Sequence, residues 1–330
     1  MQDMVGTFDE NAFNGLLHAG GRGTFMRTPY IAPAAKELKG AKVTAAFLGF
    51  PWDAMCISRT GTNYGPRAIR EAGDQFSFYN ASTGMDLNSH YRMADCGDVP
   101  VVPGSGTTTM DRAEAIVSEI LASGAMPITF GGDHSITIAC VRAFAKKYKK
   151  PGLVLVDTHF DTALDVGGEM LSHCCPITRA VDAGFDPKRI AIVGTGGWMN
   201  PKSELAYIKK RGITLFTIED IWEQGAKAIA KKAAAVASKG ADGVYLTYDI
   251  DAIDAAYAPG TGVPTPGGMS SREALTMAYE LGRMGIAGLD LVEVSPSWDH
   301  DGITSRLAVR LILEAMAGNA AAKGRRKKKS

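Results

Sequence analysis

No run of about eighteen apolar residues occurs in this chain, so nothing in it reads as a membrane-spanning helix. Cysteine is scarce. The five, Cys56, Cys96, Cys140, Cys174 and Cys175, are odd in number, lack metal-finger spacing and follow no leader with a charged start and an apolar core. That excludes a disulfide-stapled scaffold and fits a reducing, cytoplasmic setting. An excess of one charge is also missing. The formal net charge is +1, yet six of the cations fall in the last eight residues, and without them the chain is near −5. A nucleic-acid-binding domain would carry a basic face within its folded body, so nucleic acid is not an expected partner. Residues 319–330 read as a basic, disordered, solvated tail. No internal repeat is found.

What is present is the composition of a globular protein with a substantial core, 45% hydrophobic and 22% charged. From about residue 43 onward, short apolar runs alternate with helical periodicity, the βαβ rhythm of a parallel sheet with helices on both faces. The expected strands are 43–49, 125–130, 153–156, 190–193, 214–217, 243–248 and 286–292. Apolar spacings of three and four predict helices over 110–123, 136–147, 221–237, 271–284 and 304–317. Residues 1–40 lack a strong period and read as an irregular arm that wraps the body or a neighbouring subunit.

Three polar clusters each follow an apolar run directly: Gly131-Gly132-Asp133-His134-Ser135, Asp157-Thr158-His159-Phe160-Asp161, and Asp249-Ile250-Asp251-Ala252-Ile253-Asp254. In open parallel sheets, ligands bind beyond the carboxyl ends of the strands, where these residues fall. Alternation puts Asp157, His159 and Asp161 on one side if the backbone stays extended. Buried without cations, so many carboxylates and imidazoles would repel one another or stay unsatisfied, which points to two divalent metals that activate water. Oxygen ligands with a minority of imidazoles favour manganese, cobalt, nickel or iron over structural zinc, with manganese the first choice.

These clusters, together with Gly49–Asp53, Gly61–Arg70, Tyr248–Gly268 and Val292–Pro296, resemble the signatures of the ureohydrolase (arginase/agmatinase) family, its agmatinase-like branch most closely; the likeness runs from roughly Phe25 to Ala317. The resemblance implies one three-layer α/β/α domain over residues 41–318 with a central, mainly parallel sheet, assembled as trimers or hexamers. It implies that His134, Asp157, Asp161 and Asp249 hold one metal and that Asp157, His159, Asp249 and Asp251 hold the second, with Asp157 and Asp249 bridging. Asp161 thereby joins the catalytic set. It also implies that Glu293 binds the guanidinium group and that His173 shuttles protons.

Several positions depart from the family pattern. Cys174-Cys175-Pro176 follows His173 where glycine and threonine are usual, Thr158 and Phe160 replace smaller residues, and the Gly194–Trp198 loop lacks an arginine. By that resemblance the loop lines or supports the pocket, making Trp198 a candidate substrate-binding residue. Arginase's signatures for gripping an amino acid are not recognisable. The expected activity is therefore hydrolysis of a small guanidine compound, such as agmatine, guanidinobutyrate, guanidine or a substituted guanidine or metformin-like biguanide, to urea and an amine or ammonia. Nickel is the alternative metal. A non-catalytic subunit that partners an active homologue is the competing reading; deacetylase-like amide hydrolysis is opposed by the Asp157–Asp161 pattern.

Overall fold

The computed structural model describes residues 23–327. Eight strands form one parallel sheet: β1 Ala45–Gly49, β2 Met93–Asp98, β3 Met126–Phe130, β4 Pro151–Val156, β5 Ile190–Thr195, β6 Thr214–Thr217, β7 Gly243–Asp249 and β8 Gly288–Val292. Their order across the sheet is β2-β1-β3-β8-β7-β4-β5-β6, and every neighbouring pair runs parallel. Alternating side chains divide the strands' apolar residues between two cores. Val154, Val156, Leu246 and Tyr248 join one; Leu153, Leu155 and Tyr245 join the other.

Helices cover both faces. Against the first core pack α2 Gly65–Gly73, α7 Ile218–Gln224, α8 Ala226–Ser238, α9 Ser271–Gly282 and α10 Ile303–Lys327. The second core receives α1 Ala35–Gly40, α3 Gly106–Ser123, α4 Ile136–Lys147, α5 Pro176–Ala183 and α6 Lys202–Arg211. Nearly continuous apolar strands such as Leu153–Val156 are what a sheet covered on both sides requires. The expected three-layer α/β/α architecture is the one observed.

Four local expectations are corrected. The helix expected over 221–237 is two helices, because Gly225 turns the chain with φ 83° and ψ 143°. Strand β2 lacks an apolar signature: its Asp95 is fully buried against the Arg70 guanidinium at 2.8 Å, a pairing invisible along the chain. The N-terminal arm is not irregular throughout its described part. Phe25 is buried and donates its N–H to Asp95 at 2.6 Å, and α1 sets Leu38 into the second core. The remainder of the arm, residues 1–22, lies outside the described residues. At the other end, α10 continues through 319–327, where the tail was expected, and buries Asn319 and Ala320. Alanines at 320–322 favour helix continuation, so the boundary at 318 falls inside a packed helix. Residues 328–330 of the expected tail lie outside the described chain.

Candidate metal centre and substrate cavity

Strands β3, β8, β7 and β4 are neighbours at the middle of the sheet, and each delivers its polar residues at its carboxyl end. After β3, Gly131 and Gly132 take φ 88° and 74°. A Cβ on Gly131 would collide with the Pro66 ring, so only glycine lets the chain turn under α2 and bring His134 over the sheet. After β4, Asp157 accepts the N–H of His159 at 2.6 Å, and Asp161 adopts φ 49°. The segment is therefore a folded turn. The extended, alternating arrangement expected for Asp157, His159 and Asp161 is not what brings them together. Asp249 ends β7, and its Oδ1 accepts the N–H of Asp251 at 2.9 Å, turning the chain into a short 3-10 helix.

Three carboxylates meet one imidazole nitrogen. His134 Nδ1 lies 3.1 Å from Asp157 Oδ2, 2.9 Å from Asp161 Oδ2 and 2.9 Å from Asp249 Oδ2. Beside them, His159 Nδ1 lies 3.3 Å from Asp157 Oδ1 and 3.1 Å from Asp251 Oδ2. Asp157 thus divides its two oxygens between the groups. Asp249 contributes to the first group, while its other oxygen is engaged by the Asp251 N–H.

The residues present fit a pair of divalent ions. His134 Nδ1, Asp157 Oδ2 and Asp251 Oδ1 are buried polar atoms without a hydrogen-bond partner, which is costly unless a cation engages them. Nitrogen and oxygen donors without thiolates form two compact groups, His134–Asp157–Asp249 and Asp157–His159–Asp251. Protonation directions express the same crowding. Burial and the charges of Asp251 and Asp157 push Asp249 well above the usual carboxylate range. Asp251 is pushed up to about 7, chiefly by burial. For Asp157 burial acts upward as well, but the imidazoles of His134 and His159 beside it hold it low.

A chain of hydrogen bonds backs His134 from beneath. Its Nδ1 is the atom that would ligate a metal ion, which leaves the ring proton on Nε2, and Nε2 meets Thr247 Oγ1 at 3.0 Å. Thr247 meets Thr137 Oγ1 at 3.3 Å, and Thr137 donates to Asp290 Oδ2 at 3.0 Å. Tyr245 donates to the same oxygen at 2.9 Å. All five residues are buried, and burial raises the Asp290 carboxyl's pKa. Sequence reasoning missed this chain, because Thr137, Thr247 and Asp290 come from three different elements.

Glu293 stands just beyond β8 with φ 65°. Its Oε1 accepts the His134 backbone N–H at 2.8 Å and meets His173 Nδ1 at 2.9 Å. On the other side of that imidazole, the Ile57 N–H faces Nε2 at 3.2 Å. Burial disfavours charge on His173, while Cys174 and Glu293 push its pKa up. The Ile57 N–H opposes a proton on Nε2, and the hydrogen-bond geometry fixes the resting form as Nδ1–H. Burial would raise Glu293, but its hydrogen bond with His173 brings it below the usual carboxylate range.

Four of the six expected ligands, His159, Asp161, Asp249 and Asp251, line one cavity of about 670 Å³ together with Glu293 and His173, and the fifth, Asp157, is fully buried against His134 and His159. His134 is the sixth, buried behind the carboxylates. The structure does not bring Trp198 into the cavity: its side chain is fully exposed, and the next residues, Met199 and Asn200, form the wall instead. Asn200 is a supporting residue that sequence reasoning missed. It donates to Thr158 O at 2.9 Å and Gly196 O at 3.0 Å and accepts the Phe160 N–H at 3.0 Å, fastening the ligand loop. Asp133, fully buried, similarly ties the 51–61 loop by accepting the Met55 N–H at 3.0 Å.

A parallel α/β sheet with two adjoining His/Asp metal groups at its carboxyl edge defines a binuclear-metal hydrolase of the arginase fold. The profile of the Arginase family matches residues 43–318, and the chain belongs to that family. It is a ureohydrolase, acting on a C–N bond of a linear amidine. Over 274 residues, covering 82% of this chain and 77% of the relative, it is 37% identical to the mitochondrial guanidino acid hydrolase of Homo sapiens. It is 35% identical to the guanidinobutyrase of Pseudomonas aeruginosa over 305 residues, 92% of this chain and 94% of that one. Among solved structures, proclavaminate amidino hydrolase from Streptomyces clavuligerus superposes with a TM-score of 0.83 at 30% identity, covering 92% of this chain and 99% of the other.

Proposed function

We propose that this guanidino hydrolase cleaves a small guanidine compound, releasing urea or its equivalent and an amine or ammonia. The observation that carries the reading is the pair of ligand groups sharing Asp157 at the floor of a cavity that also holds Glu293. Agmatine, guanidinobutyrate, guanidine and substituted guanidines or biguanides are the candidate substrates. The named relatives support that range, since one is a guanidinobutyrase and another an agmatinase.

When bound, two divalent ions would supply the Lewis acidity that makes water a nucleophile at neutral pH. His134, Asp157, Asp161 and Asp249 would hold one, and Asp157, His159 and Asp251 the other, with Asp249 extending to it. Manganese is the first choice for a donor set of oxygens with a minority of imidazoles, and nickel is the alternative. Glu293 orients the substrate. Its Oε1 is engaged by His134 and His173, leaving Oε2 to accept guanidinium N–H groups. His173 holds a proton on Nδ1 at the cavity wall, where it can pass to the departing nitrogen as the C–N bond breaks.

Assembly as a homo-oligomer, or with a homologous subunit, and a cytoplasmic location belong to the same proposal. Among the described residues, no helix is long and apolar enough to cross a membrane. The test is urea release by the purified chain, loaded with manganese or nickel, across a guanidine panel. Release is expected; its absence with every metal and substrate refutes catalysis by this chain alone.

A further inference from the structure

The floor of the cavity is set by the metal groups and Glu293, but the wall that would surround a substrate's tail has a chemistry of its own. Phe160, Leu164, Val166, Met199, Tyr207 and Val263 make it largely apolar. Two carboxylates interrupt it, Asp165 and Glu204. Among the described residues, no lysine or arginine lines the cavity, and neither carboxylate is in an ion pair. Glu204 sits in the first turn of α6. Its Oε2 accepts the Thr162 N–H at 2.8 Å and hydroxyl at 3.1 Å, so the side chain is fixed beside the loop that carries Asp161. Burial raises its pKa, with the Asp161 charge adding to the effect.

A guanidine held at Glu293 extends its tail along this wall. A carboxylate at the end of that tail would leave water for an apolar surface that offers no cation and two like charges, a combination that rejects a ligand without any steric clash. An alkyl tail would have Phe160, Leu164, Val166, Met199 and Val263 to pack against, and an ammonium would find Glu204 or Asp165.

We propose that Glu204, assisted by Asp165, makes this cavity select guanidines whose tail is uncharged or cationic and reject those ending in a carboxylate. The inference rests on the amidinohydrolase reading and narrows its substrate class. Glu204 is a specificity-determining residue here, separate from the groups that touch the reacting atoms.

Three probes decide it: butylguanidine, agmatine and 4-guanidinobutyrate, which differ at the tail end. Wild-type kcat/KM is expected to be at least about tenfold higher for butylguanidine and agmatine than for guanidinobutyrate. Glu204→Gln retains an acceptor for Thr162 while removing the charge, and should narrow the gap by about threefold or more; Asp165→Asn should narrow it further in the double variant. Calorimetric binding of the same probes reads selection without turnover, with the same ordering expected. If guanidinobutyrate binds or reacts as well as butylguanidine, or Glu204→Gln leaves the ratio unmoved, the inference is overturned. Loss of turnover on all three with the binding order intact would instead refute the hydrolase reading and leave the selectivity standing.

Discussion

Replacing Thr247 with valine would test whether the buried chain beneath His134 contributes to metal binding. The two side chains have nearly the same shape, so packing around this fully buried position is preserved. What is lost is the acceptor 3.0 Å from His134 Nε2. A buried donor left without a partner costs about 1–3 kcal/mol. For a chain of this length that corresponds to a melting temperature lower by roughly 2–4 °C. The ring is also freed to rotate, and losing a residue that orients a metal ligand typically weakens metal affinity by about 10–100-fold. Competition with a chelator gives the affinity, melting with and without Mn2+ gives the stability, and Thr247→Ser should restore both by returning the hydroxyl. A Thr247→Val protein that binds metal and melts like the wild type would show that the chain does nothing for His134.

Glu293→Gln should retain both metals and the fold yet lose at least about 100-fold in kcat/KM, the scale expected when a substrate is no longer oriented; parallel metal analysis and urea assays check this, and activity within a few-fold of wild type would contradict the assigned role. Removing metal with a chelator should lower the melting temperature, since at a free metal concentration 100 times the dissociation constant binding stabilises by about 2.7 kcal/mol; unchanged melting on chelation would deny that the buried carboxylates need cations. Asp290 gives a pH prediction. Its folded carboxyl is raised by burial, so the folded state keeps a proton that the unfolded chain releases above about pH 4, and its contribution to stability falls as pH rises from there through the raised pKa. Asp290→Asn should therefore gain on the wild type as pH increases over that window, measured by denaturant titration at several pH values; a stability difference that does not change with pH would refute it.

Much of the fold was legible because the strands buried on both faces are nearly continuous apolar runs. Leu153–Val156 and Val244–Tyr248 could be read as strands without reference to anything else, and the acidic residues that follow them stand out by contrast. Strand β2 could not be read in this way. Its buried Asp95 is tolerable only because Arg70 comes from 25 residues earlier, and a pairing of that kind leaves no periodicity. Gly225 was visible but looked like an isolated glycine within a helix, where its cost is modest; only the backbone shows that it ends one helix and begins another. The position of Trp198 outside the cavity was hidden for a related reason. Proximity in sequence to wall residues says nothing about direction, and Met199 and Asn200 turn inward while their neighbour turns out.

The metal ligands illustrate the same division more sharply. The candidates stand out by residue type and by the family resemblance, but the means of their convergence does not. An extended segment would have aligned Asp157, His159 and Asp161 by alternation; instead the chain folds back, with Asp161 in a left-handed conformation that non-glycine residues seldom adopt. Glu293 is left-handed too, directly after the central strand β8. Such conformations persist when surrounding contacts hold them, and here the Ile177 N–H bonds Asp161 O at 3.1 Å while the Glu293 N–H bonds Gly132 O at 2.9 Å. The sheet order gives these two constrained turns their effect. Because β8 and β7 lie between β3 and β4, the turns after all four strands open into one space, and residues more than 100 positions away in the chain become neighbours of the His134 imidazole. The acids and imidazoles can thus be chosen by local sequence, while the distance between them is chosen by topology.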